Sequence, residues 1–196
     1  LFESFPDLPA ASAFGSAESI GDIVYLCQGK HQKSDLQLTG GFWQLNLGAI
    51  DTGWQSLPEH PGPVRFKMST AVQQGPGGEA CLFLFSGTST SETDQGDPRF
   101  HAYTDSYRYS PLERLWSEVA SLPKLDDPRH LAGEEKFANE RWPISASCAE
   151  SVGTRTIVTF SGSTDRYILD DNGKVLPAAV RPQFLPRVLS YDTVTD

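Results

Sequence analysis

Cysteine and positive charge are both scarce in this sequence. Cys27, Cys81 and Cys148 are its 3 cysteines, and no two form a C-x-x-C pair. An odd number at such spacing argues against a disulfide scaffold or a structural zinc site. Each lies in an apolar run, which predicts buried free thiols. Lys and Arg total 16 against 25 Asp and Glu, for a net charge of -9. A chain of that sign repels phosphate backbones, so nucleic acid is set aside as a partner. No apolar run approaches the ~18 residues that a membrane-spanning helix needs, so no membrane insertion is expected.

Catalytic signatures are missing as well. The sequence has no H-E-x-x-H, no G-x-S-x-G and no P-loop. His31, His60, His101 and His130 are scattered, which does not suggest a metal site. Asp170-Asp171-Asn172-Gly173 lacks the alternating ligands and the distal Glu of a calcium loop. It reads instead as the Asn-Gly turn of a small hairpin over Tyr167–Leu176. A short helix is expected over Leu131–Arg141.

What the sequence does have is turns and aromatics. Gly and Pro number 17 and 14 in 196 residues, and aromatics make up 11%. That composition favours a β-rich fold of short strands. Leu1 stands in place of an initiating Met, and the strand-like run Leu189–Asp196 reaches the last residue. A piece of a longer protein is the expectation, and compartment is then not readable from targeting signals.

The strands recur in a fixed order. Three apolar runs end in Gly: Ile23–Gly29, Leu82–Gly87 and Ile157–Gly162. Apolar residues fill both parities, which predicts strands covered on both faces. A run of small residues precedes each of them, at Ala11–Ser16, Met68–Val72 and Ile144–Ala149. An alternating run follows each, at Trp43–Leu47, Ser106–Tyr109 and Val188–Tyr191, and predicts a half-exposed strand. Trp54 and Trp116 open a fourth, short strand 7 residues after Leu47 and Tyr109, and each leads into Leu-Pro. The same count from Tyr191 leads to an expected Trp two positions past Asp196.

The glycines that end the three apolar runs are 58 and 75 residues apart. Four strands per unit at such spacing points to an all-β chain, a partial β-propeller of four-stranded antiparallel blades of the kelch type. Residues 1–10 are expected to be the tail of a preceding blade, 11–57 and 58–122 two blades, and 123–196 an incomplete third. An unrelated β-sandwich is the competing reading. About three blades cannot close a ring of roughly four to eight. Unpaired blade faces should then drive self-association, which sedimentation and dye binding to apolar surface would check.

Long connections fall on one end. Antiparallel order puts the links between strands two and three, and between four and the next one, on the same face. All the long insertions are there: 30–40, 88–102, 124–143 and 163–186. Long loops on a rigid scaffold are where sites are usually built. Candidate ligand-holding residues on that face are Arg65, Arg129, and the adjacent Asp165 and Arg166. An Arg at the start of an inner strand lies near the axis and is suited to a bidentate bond with a carboxylate. The competing reading pairs each with one of the chain's own acids.

Several stretches resemble the kelch-type, cyclically permuted mutarotases, the N-acetylneuraminate epimerase family. They are Gly53-Trp54-Gln55-Ser56-Leu57-Pro58 with Pro61-Gly62-Pro63-Val64-Arg65, then Thr104–Pro111, then Arg187–Asp196. The resemblance covers most of the chain in strand order and departs from the family mainly in the loops. Kelch repeats generally carry Gly-Gly after strand two, whereas this chain has Gln28-Gly29, Ser86-Gly87 and Ser161-Gly162. The resemblance implies a six-bladed propeller, periplasmic or secreted, that interconverts the α and β anomers of a sialic acid. It implies a small sugar acid as partner, an Arg clamp for its carboxylate, and no metal or organic cofactor.

The family's Glu and Arg for acid/base work lie in a stretch of the form N-G-E-x-K-P-G-x-R, in the blade after its counterpart of Arg187–Asp196. No such stretch occurs in these 196 residues, so no catalytic residue is carried over. Glu150 and Arg155 share neither motif nor context with that pair. Two readings stand side by side: a piece of a sugar mutarotase, or a non-catalytic kelch propeller that binds a protein or glycan through its long-loop face. A copper-radical oxidase ranks last, because no Tyr, His and Cys constellation can be assembled. The 196 residues alone are expected not to speed anomer exchange.

Overall fold

The computed structural model describes residues 4–27, 29–30, 40–92, 98–123, 144–163 and 188–196. The first sheet is a meander of β1 (Ser16–Ile20), β2 (Ile23–Cys27), β3 (Phe42–Asn46) and β4 (Gln55–Leu57). The second holds β5 (Ser69–Gln74), β6 (Ala80–Phe85), β9 (Ser106–Ser110) and β10 (Leu115–Val119) in that order. The third is described over β11 (Cys148–Val152), β12 (Thr156–Phe160) and β13 (Val188–Asp192). Neighbouring strands within each sheet are antiparallel. Between β6 and β9 the chain adds a separate hairpin of β7 (Thr88–Glu92) and β8 (Pro98–Ala102). No apolar alternation announces that hairpin, since β7 reads Thr-Ser-Thr-Ser-Glu.

Both faces of β6 are apolar, and each meets a different neighbour. Leu82 and Leu84 join Tyr25, Cys27, Phe42 and Leu57 in a core between the first and second sheets. Cys81, Phe83 and Phe85 join Ile157 in a second core between the second and third. Phe42 anchors the first core, edge-on to Tyr109 at 4.7 Å and tilted against Trp116 at 5.0 Å. Tyr191 meets Phe83 and Phe85 edge-on at 5.9 and 5.5 Å in the second. The first strands β1, β5 and β11 make the closest approaches between sheets. The sheets therefore stack face to face around a line near their first strands, as blades of a β-propeller do.

Small polar residues serve that crowding by bonding across it. Ser16 and Thr70 share a hydrogen bond of 2.5 Å between hydroxyls. Ser69 Oγ donates to the Ser147 carbonyl at 2.9 Å, and Gln73 Nε2 donates to that of Thr156 at 3.0 Å. On the outer side, Trp116 Nε1 donates to the Pro58 carbonyl at 2.8 Å. Trp54 Nε1 does the same to Pro6 at 3.2 Å, so each indole reaches back to the segment before its own sheet.

A left-handed residue starts every inner strand. Ala13, Phe66 and Ser145 form isolated bridges to Lys30, Thr88 and Ser163. The next residues, Phe14, Lys67 and Ala146, have φ of 60°, 56° and 53°. This kink corrects the expected first strands: Ala11–Ser16 and Ile144–Ala149 mostly precede β1 and β11. Ser86 (φ 56°) with Gly87 (φ 106°), and Ser161 (φ 55°) with Gly162 (φ 111°), are left-handed in succession. Serine thus takes the conformation that a first glycine of a Gly-Gly pair would take without strain.

Other expectations are corrected by the register. Strand β9 is covered on both sides rather than half-exposed, because Tyr107 and Tyr109 enter the first core while Ser106 and Ser110 are buried opposite. Strand β12 is not covered on both sides: Phe160 lies on its outward face, 41% exposed. Cys148, directly across from Phe160, shares that outward face and is exposed, unlike Cys27 and Cys81. The register continuing from Gln44 opposite Gln55 sets Trp54 level with Leu45, the equivalent of Tyr109. The Trp count therefore runs from Leu45, not Leu47. The 3-10 helix Leu47–Thr52 absorbs the extra length. The helix expected over Leu131–Arg141 and the hairpin over Tyr167–Leu176 lie outside the described residues.

A Cβ on Gly162 would sit 2.2 Å from Ile144 Cγ2 and 3.0 Å from the Ser145 carbonyl oxygen, at φ +111°. One on Gly78, at φ +85° in the hairpin between β5 and β6, meets nothing within 4 Å. Gly162→Ala should therefore cost roughly 3 kcal/mol or more, and Gly78→Ala about 1 kcal/mol of conformational strain. Urea unfolding midpoints of the two variants check the difference.

Candidate functional site

The link from β4 to β5 carries a proline-rich turn, Pro61-Gly62-Pro63, that delivers Arg65 into the protein at 1% exposure. Proline fixes φ and removes donors, so this segment folds back without a ladder of its own. Arg65 then supplies the donors. Its Nη1 and Nη2 donate to Asp105 Oδ1 and Oδ2 at 2.7 and 2.8 Å, the bidentate fork expected of a guanidinium on a carboxylate. Nη1 also donates to the Ser86 carbonyl at 3.1 Å, and Nε to the Pro63 carbonyl at 3.1 Å. Tyr103 packs against the guanidinium, its ring centre 4.4 Å from Cζ. The carboxylate held by Arg65 is thus one of the chain's own, and its bonding capacity is largely committed.

Three connections meet at this pair. Asp105 ends the long link before β9, and Ser86 directly follows β6. Ser86 Oγ donates to the Tyr103 carbonyl at 2.7 Å and accepts from the Ile144 N–H at 3.1 Å. A glycine at position 86 would relax the backbone and lose both bonds. Tyr107 O–H donates to Asp105 Oδ2 at 2.6 Å. Gly62 gives these groups their room, since a Cβ would lie 2.5 Å from that phenol oxygen and 2.6 Å from Arg65 Nη2 and would displace one or both.

Charge at the cluster is set by burial and by these bonds. Burial pushes the Asp105 carboxyl up, but hydrogen bonds from Arg65 and Tyr107 and the Arg65 charge outweigh it, leaving it below the ordinary carboxylate range. The Tyr107 phenol is pushed up to about 12 by burial and by its bond to Asp105, so it remains a donor. His60 stacks on Tyr107 at 5.2 Å, and its Nδ1 accepts from the Gly62 N–H at 3.1 Å. Burial and then the Arg65 charge lower its pKa to about 4, so the ring is neutral near pH 7.

Beside this cluster is a cavity of ≈ 20 Å³ lined by Cys27, Phe42, Glu59, His60, Arg65 and Trp116. That is room for one water, not for a sugar. Among the described residues no group of three or more His, Cys, Asp or Glu could hold a metal ion. Arg129, Asp165 and Arg166 lie outside the described residues, so of the candidate site residues the structure places Arg65 alone. The sequence reading missed Asp105, Tyr103, Ser86 and His60 as its neighbours. Asp105 belongs to the Thr104–Pro111 stretch, but nothing local links it to an Arg 40 residues earlier.

Removing one partner of a buried pair strands the other's charge. Asp105→Asn should destabilise the chain by about 3–5 kcal/mol, read from urea midpoints at pH 7. With its pKa lowered in the fold, Asp105 contributes stability above the unfolded carboxylate pKa of roughly 3.9, and that contribution is lost as pH falls through the lower folded value. His60 acts over a separate window. The unfolded ring binds its proton near pH ~6.5 and the folded ring near pH 4, so stability should fall as pH drops from about 6.5 to about 4. His60→Gln should flatten that part of the profile.

No family model matches the chain. Curated proteins named N-acetylneuraminate epimerase do. That of Yersinia enterocolitica is 25% identical over 131 residues, covering 67% of this chain and 29% of its own length. Those of Yersinia pestis strain Pestoides F and Haemophilus influenzae strain PittEE are 26% and 27% identical over 131 and 133 residues, again 67% of this chain. The solved structure of YjhT superposes over 93% of this chain and 70% of that one, with TM-score 0.46 and 14% identity. The chain spans less than a third of the length of these curated relatives. The resemblance read from the motifs therefore holds in full sequence comparison: over two-thirds of its length, the chain is similar to N-acetylneuraminate epimerases.

Proposed function

We propose that the protein is a sugar mutarotase that interconverts the α and β anomers of N-acetylneuraminate or a related sugar acid. The observation that carries this reading is the 25–27% identity to N-acetylneuraminate epimerases over 67% of the chain. The blade architecture agrees with it: links between strands two and three, and between four and the next one, share one end, where a ligand site can be built.

Mutarotation is ring opening followed by ring closure. A base takes the proton of the anomeric hydroxyl while an acid protonates the ring oxygen, and the C–O bond between anomeric carbon and ring oxygen breaks. Closure on the other face of the carbonyl reverses the two proton transfers. On this reading the Arg65–Asp105 pair has a supporting role. It holds the ends of three connections at the face where the sugar binds and takes no part in proton transfer. No acid or base is assigned among the described residues.

Proton NMR of freshly dissolved N-acetylneuraminate tests the proposal, using the product of the complete gene. The expected outcome is equilibration of the anomers faster than in buffer, in proportion to protein concentration. An unchanged rate with retained glycan or protein binding would support the non-catalytic propeller instead.

A further inference from the structure

The turn in the link from β4 to β5 closes through one backbone donor. Proline has no N–H, so within Pro61-Gly62-Pro63 only Gly62 can donate, and it donates to His60 Nδ1 at 3.1 Å. A ring nitrogen that accepts carries no proton, so neutral His60 holds its proton on Nε2. The next proton must go to Nδ1. Both nitrogens of an imidazolium donate, so no flip of the ring restores the Gly62 bond.

The neighbours of the ring have little to offer a new positive charge. His60 stacks on Tyr107 of β9 at 5.2 Å and meets Trp116 of β10 edge-on at 6.0 Å. The Arg65 guanidinium lies 5.5 Å from the centre of the same Tyr107 ring, a second cation close by. Asp105 is the nearby counter-charge, but Arg65 takes both its oxygens and Tyr107 donates to one of them. Glu118 of β10 pairs opposite Tyr107 and is exposed. Glu59 and Cys27 line the cavity beside the ring. The Glu59 carboxylate rests against Gly40, and the Cys27 thiol, pushed up to about 12 by burial, is uncharged.

The surroundings of the turn do not share this sensitivity. Asp105 is held below the ordinary carboxylate range, so its fork with Arg65 outlasts the Gly62 bond as pH falls. The Pro63 carbonyl stays tied to Arg65 Nε, which confines movement to residues 60–62. Phe42, Tyr109 and Trp116 pack the core behind without help from the turn.

We propose that His60 is an acid-released latch: a proton on Nδ1 frees the turn at Gly62 and opens the cavity that both residues line, while the Arg65–Asp105 pair and the two sheets stay in place. The turn belongs to the end of the blades where the long connections gather, so acid loosens that face without unfolding the chain. The latch does not depend on the mutarotase reading.

Titration of the chain by imidazole and amide NMR tests it. The His60 ring should take up its proton at a midpoint between about 4, the value of the closed latch, and ~6.5, that of an unrestrained ring. Over that step the Gly62 amide should lose about tenfold in protection from hydrogen exchange, while the amides of β2, β6 and β9 keep theirs. His60→Asn sets an amide oxygen near the place of Nδ1 and should hold Gly62 with no step. His60→Ala should leave the Gly62 amide unprotected at every pH. Unchanged strand amides show that each variant folds. Protonation of His60 with Gly62 still protected overturns the latch, as does a step that persists in His60→Asn. Loss of Gly62 protection only together with the strand amides is global unfolding and overturns it too.

Discussion

Everything in this fold hangs on a single backbone kink, repeated once per blade. A residue with φ near +55° turns the chain from a one-pair bridge into the inner strand, three residues after the bridge begins. The same residue passes a backbone hydrogen bond to its equivalent in the next blade. Register and blade spacing are therefore set by one conformation. Three non-glycine residues hold it at a cost of about 1–3 kcal/mol each. The cross-sheet bonds and the two cores offset that cost. Ser86 and Ser161 repeat the principle at the far side of the bridge, and Ser86 recovers part of the strain through two side-chain bonds.

Arg65 shows how a residue suited to a ligand can be taken by the scaffold. A guanidinium in a buried position needs a carboxylate and several carbonyls around it. The chain supplies all of them from its own links, with Asp105 as the counter-charge. The result joins the link before β5, the end of β6 and the entry to β9 at one point. That rigid point lies at the face where long loops gather, so loops of varied length can be carried there without disturbing the blades.

Much of the blade pattern was legible because strand periodicity is a local property. The apolar runs marked β2, β6 and β12, and the alternating runs marked β3, β9 and β13 to within a residue or two. The starts of β1 and β11 were not legible, since Phe14 and Ala146 carry no residue signal for a left-handed conformation. The hairpin of β7 and β8 was missed for a related reason: β7 is a run of small polar residues with no apolar alternation, and its ladder is to β8 rather than to a blade strand. Arg65 was legible as an Arg placed near the axis by a Pro-Gly-Pro turn and suited to a bidentate carboxylate, but neither its burial nor its partner among 25 acids was.

By itself the sequence determined that this is an all-β chain of repeated four-stranded units, with its long connections on one end. Hydrophobic periodicity and turn residues encode those features within a few positions of each other. Only the tertiary structure decided which carboxylate neutralises Arg65, which face of β12 meets another sheet, and that the Lys67 N–H meets the Phe14 carbonyl. Those outcomes join residues 40 to 80 positions apart. Such pairings depend on how sheets stack, and stacking is a sum over many weak contacts that no local pattern records.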